Sequence, residues 1–437
     1  MDQPTALLTP TSSKERILAL DVIRGFAVLG IFAINILGFA WPVGSVPPDA
    51  GGAQGLDLLT FYLHDTLFDG RMRGLFCMLF GAGLVLAWDR ARSAGMAGAA
   101  RMHRRNLLLL FFGLAHVFLL QMPGDILVEY AVCGFLLWGF AGARTRSLFL
   151  AAVFLLTIST GTNLAQSFAE EREWRAGLEL QERPAASLTE EEIEQQKEWQ
   201  ESAAYHPEIA RRETLERIDE QRAATSWIAT WKVLLPESLE GTDLRASDIP
   251  YYLAILGTML LGMVLYRTDV LTGRAQTSTY VRLLAAALLA WLGALWLSVD
   301  WARSEFSPTE PWLNAHLWTA TYEPFRILVG LGWAAALVLS FRALGTSFMH
   351  RRLADLGRMA LTVYLLETVI ATTLFWGWGF GLYGTLSRFE LLLVTGAVWL
   401  ALATFAALWM KSFAYGPAEW LWRRLTYGDA PFRRAAN

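Results

Sequence analysis

Cysteine is nearly absent from this 437-residue chain: Cys77 and Cys133 are the two, each inside an apolar run and without C-x-x-C spacing. That excludes a disulfide framework and a cysteine-based zinc site, and predicts two reduced thiols buried as small hydrophobes; no metal site is expected. Charge is scarce too, with 18% of residues charged and a formal net charge of -3. Such a chain has no basic footprint for a nucleic acid. The glycine-rich stretch 377–384 lacks the Lys and the helix start that a phosphate-cradling loop needs, so it reads as a turn. No convincing internal repeat is found.

What the chain has in abundance is hydrophobicity, at 54% of residues and a mean hydropathy of +0.34. A soluble core does not account for that, and the fold class predicted is all-α: a polytopic membrane helix bundle. A spanning helix takes about 20 mostly apolar residues, and that rule picks out about ten spans. They lie near 17–40, 67–88, 106–122, 125–142, 147–165, 249–266, 280–299, 322–341, 359–377 and 389–411. Alternate short loops carry arginines, among them Arg104 and Arg105, Arg144 and Arg146, Arg267 and Arg274, Arg351 and Arg352, whereas 41–56 and 121–124 carry no Lys or Arg. The positive-inside rule makes the arginine side cytoplasmic and puts both termini there. Residues 1–16 form a polar leader; the apolar stretch after it is interrupted by charge and shows no small-residue cleavage site, so it reads as a retained first span. The organisation expected is leader 1–16, a first membrane bundle 17–165, a polar insertion 166–248, a second bundle 249–411 and a cytoplasmic tail 412–437. Mixed charge at helical spacing in the insertion, Glu213 with Arg217 for example, predicts solvated helices projecting from the outer face, either a passive insertion or a cap.

Several stretches form an ordered series: Leu20-Asp21-Val22-Ile23-Arg24-Gly25 with Asn35, Leu75 to Gly83, Gly113-Leu114-Ala115-His116 with Gly124-Asp125-Ile126-Leu127, Gly357 to Glu367, and Gly416 to Arg423. This series resembles the YeiB-like bacterial membrane proteins, the family called domain of unknown function 418, over nearly the whole chain outside the insertion. The resemblance implies a multi-pass protein of the bacterial cytoplasmic membrane. The opening Leu-Asp-x-x-Arg-Gly also resembles the first span of a broader transmembrane acyltransferase superfamily that includes the lysosomal heparan-glucosaminide acetyltransferase. That wider likeness implies an acyl-CoA donor on the cytoplasmic side and a glycan, lipid or small-molecule acceptor at or across the membrane. Two positions depart from the patterns. Val363 and Glu367 stand where the nearer family often has Asn and Gln, and no histidine follows Asn35 as it does in the glucosaminide enzyme.

Ionisable residues inside apolar spans carry the chemistry, since each costs roughly 2.5–3.5 kcal/mol on insertion scales unless a partner or a wet cavity receives it. Arg24 and Asn35 are eleven positions apart, which places them on one face about 16 Å apart along a helix, with Asp21 on the same stripe. Arg24 suits the pyrophosphate of CoA, or alternatively an Asp21–Arg24 pair that only fixes packing. His116 is the candidate general base, against a structural histidine. Asp125 and Glu129, on one face of the next span, either orient His116 or bind a cation, or in the case of Asp125 cap the helix. His64 and Asp69 have a spacing that resembles soluble glycerol-lipid acyltransferases; with Arg71 beside them they read as a solvated amphipathic entrance, and His64 is the second candidate base. Arg326 sits near the outer start of span eight, while Arg358, Tyr364 and Glu367 lie along span nine, Arg358 as an anchor or phosphate ligand and the others as cavity lining. A transporter or flippase using the same polar residues, and a non-catalytic membrane partner protein, are the alternative functions. The oligomeric state stays open, a homo-oligomer included.

Overall fold

The computed structural model describes residues 17–42, 47, 49–93, 99–202, 206–240, 242, 245–307, 312–428 and 432. The leader 1–16 and the end of the tail lie outside the described residues. Among those described, the elements are helices: α1 (Leu18–Ala40), α2 (Gly55–Leu63), α3 (Arg71–Ser93), α4 (Ala99–Leu119), α5 (Ile126–Leu137), α6 (Thr145–Glu182), α7 (Glu190–Glu201), α8 (Pro207–Ala223) and α9 (Trp227–Glu240), followed by α10 (Ile249–Arg267), α11 (Thr277–Arg303), α12 (Trp312–Leu344), α13 (Phe348–Arg358), α14 (Ala360–Phe375), α15 (Arg388–Ser412) and α16 (Pro417–Tyr427).

Each of the ten expected spans is a helix, yet among the described residues seven helices are long and apolar enough to cross a membrane, or eight when α13 and α14 are taken as one span bent by 86°. The shortfall has three local causes. Arg101, Arg104 and Arg105 polarise the start of α4, α5 is a short apolar helix, and α14 has 16 residues. Helices α6, α11 and α15 turn most of their apolar length outward, with Phe154, Leu289 and Leu400 on exposed faces. That is the pattern of helices solvated by hydrocarbon rather than water.

The centre is built on α1, which packs against α3, α13, α14 and α15. Its crossing with α13 is backbone-close, because a Cβ on Gly25 would collide with the Leu353 carbonyl and one on Gly357 with the Asp21 carbonyl. Immediately after Gly357 the chain breaks at Met359 and turns into α14. The orphan N–H groups of the new helix are received by Glu419 of α16, whose Oε1 accepts from Leu361 N (2.6 Å) and Thr362 N (3.1 Å) while Oε2 accepts from the Thr362 hydroxyl (2.6 Å). The expectation that Arg358 and Glu367 lie along one span is therefore corrected: they sit on two helices at a sharp bend.

The polar insertion also differs from expectation. Helix α6 runs unbroken from Thr145 to Glu182, through the expected boundary at 166, and its 38 residues reach about 57 Å, well beyond a hydrocarbon core of about 30 Å. Helix α7 folds back on it with Trp199 against Gly177, under a Thr189 and Glu192 capping box. Helices α8 and α9 do not project. They lie on the loops of the membrane part, where Arg222 Nε donates to the Tyr383 carbonyl (2.8 Å), Arg211 pairs with Asp49 (3.2 Å) and Gln121 Nε2 donates to the Trp227 carbonyl (2.8 Å).

Candidate functional site

Helix α4 presents His116 towards α5 and α14. Gly113, one turn earlier, allows the approach of α5, because a Cβ there would stand 2.8 Å from Val128 N. His116 is fully buried, with Nδ1 3.0 Å from Asp125 Oδ1 and Nε2 2.7 Å from the Thr368 hydroxyl oxygen. Tyr364, one turn before Thr368 on α14, donates its hydroxyl to the same Asp125 oxygen at 2.7 Å and sets its ring edge-on to the imidazole at 4.9 Å. Asp125 is the residue before α5, but its side chain makes no capping hydrogen bond there. The capping reading of Asp125 is thus corrected: its carboxylate faces the imidazole. The Nδ1 contact is close without the N–H pointing along it, and Asp125 Oδ2 is unpaired. With its proton on Nδ1, the imidazole leaves Nε2 to accept from the Thr368 hydroxyl.

Glu367 lies beside this group, 2% exposed, and neither of its carboxylate oxygens has a hydrogen-bond partner. The charges of Asp125, Glu367 and Glu129 all bear on Tyr364. Glu129 does not contact His116; it accepts from Tyr251 (2.6 Å), which in turn accepts from Arg73 Nη1 (3.1 Å). Cys77 donates to Tyr130 (3.0 Å), and Tyr130 donates to the Arg73 carbonyl (3.1 Å), so this second network ties α3, α5 and α10.

The cationic residues sit at the other end of α4. Arg105 is eleven residues before His116, close to three full turns, hence on the same side of the helix and about 16 Å away. Its guanidinium lies over the Trp422 ring at 4.7 Å and feels the charges of Arg24 on α1 and Arg423 on α16. Arg24 pairs with Asp21 at 3.1 Å and stays 28% exposed. Asn35, half-buried further along α1, makes no hydrogen bond to this group, and Arg358 pairs with Asp355 at 3.5 Å. Arg24, Asn35 and His116 are not brought together by these contacts: the three side chains occupy separate environments along the bundle.

The entrance residues need a larger correction. His64 is 2% exposed with neither ring nitrogen paired, and Arg71 is fully buried, its Nη1 donating to the Asp69 carbonyl at 2.6 Å. Both belong to a π-helical turn and its exit, His64–Phe68 and Arg71, which the bundle encloses; Trp333 Nε1 of α12 donates to the freed Leu67 carbonyl at 3.1 Å. Arg326 is buried in an ion pair with Glu323 and donates to Thr258 at 2.8 Å. Sequence reasoning missed Thr368 and Arg105 as site residues. Arg105 was within reach of helical periodicity, eleven residues before His116, whereas nothing in the sequence singles out Thr368 among the threonines of α14.

A family model described as a protein of unknown function (DUF418) matches residues 265–429. The uncharacterized protein YeiB of Escherichia coli (strain K12) is 30% identical over 426 residues, covering 94% of this chain and 96% of its own. The uncharacterized protein YxaH of Bacillus subtilis (strain 168) is 26% identical over 439 residues, with 96% of each chain covered. An uncharacterized 39.9 kDa protein from the amylase 3' region of Bacillus acidopullulyticus is 26% identical over 434 residues, again with 96% of each covered.

Proposed function

Because this chain belongs to the YeiB-like DUF418 family, whose relatives above carry no assigned activity, we propose from its own geometry that it is a membrane acyltransferase. The observation that carries this reading is the buried pair of His116 with Asp125, His116 lying on the same stripe of α4 as Arg105. In this reading the arginine-rich end is cytoplasmic in a bacterial inner membrane, with both termini on that side. Arg24, Arg105 and Arg423 hold the phosphates of an acyl-CoA donor, and guanidinium groups suit that charge. Arg358, paired with Asp355, stands outside this set. The acceptor, a glycan, lipid or small molecule, brings its hydroxyl or amine to the place now held by Thr368 Oγ1. His116 Nε2 takes the acceptor's proton as the acceptor atom bonds to the thioester carbonyl carbon. The carbon–sulfur bond breaks, and the proton passes from His116 to the departing thiolate of CoA. Asp125 orients the imidazole and offsets its positive charge.

Purified protein in lipid nanodiscs, warmed with acetyl-CoA and longer acyl-CoAs, tests the donor: ligand that binds the folded state raises the apparent Tm by mass action. The expected result is a shift that disappears in the Arg24→Ala, Arg105→Ala double variant. With an acceptor identified, His116→Ala lowers transfer by about 100-fold or more at an unchanged donor shift. No shift with any acyl-CoA defeats the proposal. One observation favours a second reading, a proton-coupled transporter: Glu367 is a carboxyl buried at the bundle core with no partner, as proton carriers in membranes are. Counterflow uptake in proteoliposomes that consumes no CoA and is lost in Glu367→Gln supports that reading instead.

A further inference from the structure

Away from the His116 group, and at the end of the bundle opposite the arginine-rich loops, a cavity of about 630 Å³ opens between α6, α11, α12 and the turn after α2. Its volume falls in the range of small-molecule sites, about 300–1,000 Å³. Asp65, Asp69, Glu170 and Glu323 line it, and among the described residues no Lys, Arg or His does. Two of these carboxylates are answered from outside the cavity, Glu323 by Arg326 and Asp69 more loosely by Arg71 at 3.9 Å. Asp65 feels the charges of Arg71 and Arg388 but closes no ion pair with either, and its Oδ2 is buried without a hydrogen-bond partner; Glu170 accepts from Gln166 Nε2 at 3.2 Å and likewise has no ion pair.

Two further groups of the lining are nine-tenths or more buried and unsatisfied. Ser298 Oγ lies beside Asp65 yet closes no hydrogen bond of normal geometry, and Trp312 Nε1 has no acceptor. Buried polar groups left unpaired are costly, so Asp65 Oδ2 and Trp312 Nε1 in one cavity wall point to something that satisfies them. The rings of Trp312, Trp318 and Tyr322 stand in the same wall. Aromatic faces beside carboxylates that close no ion pair attract an organic cation through both charge and ring quadrupole, as the Arg71 guanidinium over the Trp318 ring at 5.8 Å illustrates. A metal ion fits less well, because among the described residues no three His, Cys, Asp or Glu side chains converge as ligands.

We infer that this cavity is a binding site for a small organic ammonium ion, its cationic nitrogen between Asp65 and the aromatic wall and its polar end near Ser298 and Trp312. The site is separate from the acyl-transfer group and does not depend on that reading. Isothermal titration of the full chain in nanodiscs, without acyl-CoA, tests it with two isosteric probes, choline and the neutral 3,3-dimethylbutan-1-ol. Choline is expected to bind, and the alcohol to bind at least about tenfold more weakly, as loss of the cation's interaction requires. Asp65→Asn and, as a second variant, Glu170→Gln are each expected to weaken choline by about tenfold or more while thermal unfolding confirms that both fold. Absence of choline binding, equal binding of the two probes, or choline affinity unaltered in two folded variants overturns the assignment.

Discussion

A threonine hydroxyl sits where a substrate hydroxyl has to arrive: Thr368 Oγ1, 2.7 Å from His116 Nε2. Removing it in Thr368→Val leaves a fully buried ring nitrogen unpaired, a loss of about 1–3 kcal/mol. A lower Tm is expected in Thr368→Val and recovery in Thr368→Ser; equal melting of Thr368→Val and wild type would show the contact absent. At this scale His116, Asp125 and Tyr364 were legible in the sequence because an ionisable or phenolic group in an apolar span stands out. Thr368 was not, since a threonine in such a helix commonly bonds its own preceding turn, as Thr372 does with the Thr368 carbonyl (2.9 Å). The direction of a carboxylate is equally silent in sequence. Asp125 and Glu129 are four residues apart, yet one faces His116 and the other Tyr251, because α5 is wedged between two different neighbours.

Helix α1 meets α13 through two glycines, and that crossing sets the position of Arg24 at one end of the bundle. Gly25→Ala forces a methyl into the Leu353 carbonyl. Overpacking of this kind costs about 1–3 kcal/mol, and a Tm drop of several degrees with the helices pushed apart is expected in a thermal melt. The outer helices respond to acid instead. Hydrogen bonds from Arg183 and from the Thr189 backbone hold the Glu192 carboxyl below the usual carboxylate range. A depressed folded-state pKa adds stability that is present above the unfolded value of about 4.3 and is lost as pH falls through the folded one. Hydrogen exchange across 183–199 is therefore expected to be flat from pH 7 to 5 and to speed up below pH 4 beyond the intrinsic rate, with Glu192→Gln removing the extra pH dependence. The existence of these helices was readable from apolar runs and from mixed charge at helical spacing, such as Glu213 with Arg217. The break at Met359 was not, because no proline marks it, and the end of α6 was misplaced because its charged second half continues the same helix.

The bundle's orientation rests on its arginines, and single-cysteine labelling checks it directly. Cys77 and Cys133 are buried, so a membrane-impermeant maleimide on intact cells reads only an added thiol. Glu194→Cys on α7 is expected to label from outside and Thr346→Cys, between α12 and α13, only after lysis; the reverse pattern inverts the topology and removes cytoplasmic acyl-CoA as donor. Composition, span-length apolar runs and loop charge determined by themselves that this is an all-helical, multi-pass membrane protein and which helices carry its ionisable groups, because lipid imposes those rules locally along the chain. Which of those groups meet was decided only by tertiary packing. His116 joins Asp125 and Thr368 from three helices, Arg71 and His64 are enclosed rather than solvated, and Glu367 is stranded beyond a bend. Pairing across helices depends on crossing points such as Gly25 with Gly357 and on rotations about each axis, and no hydropathy pattern along one segment contains that information.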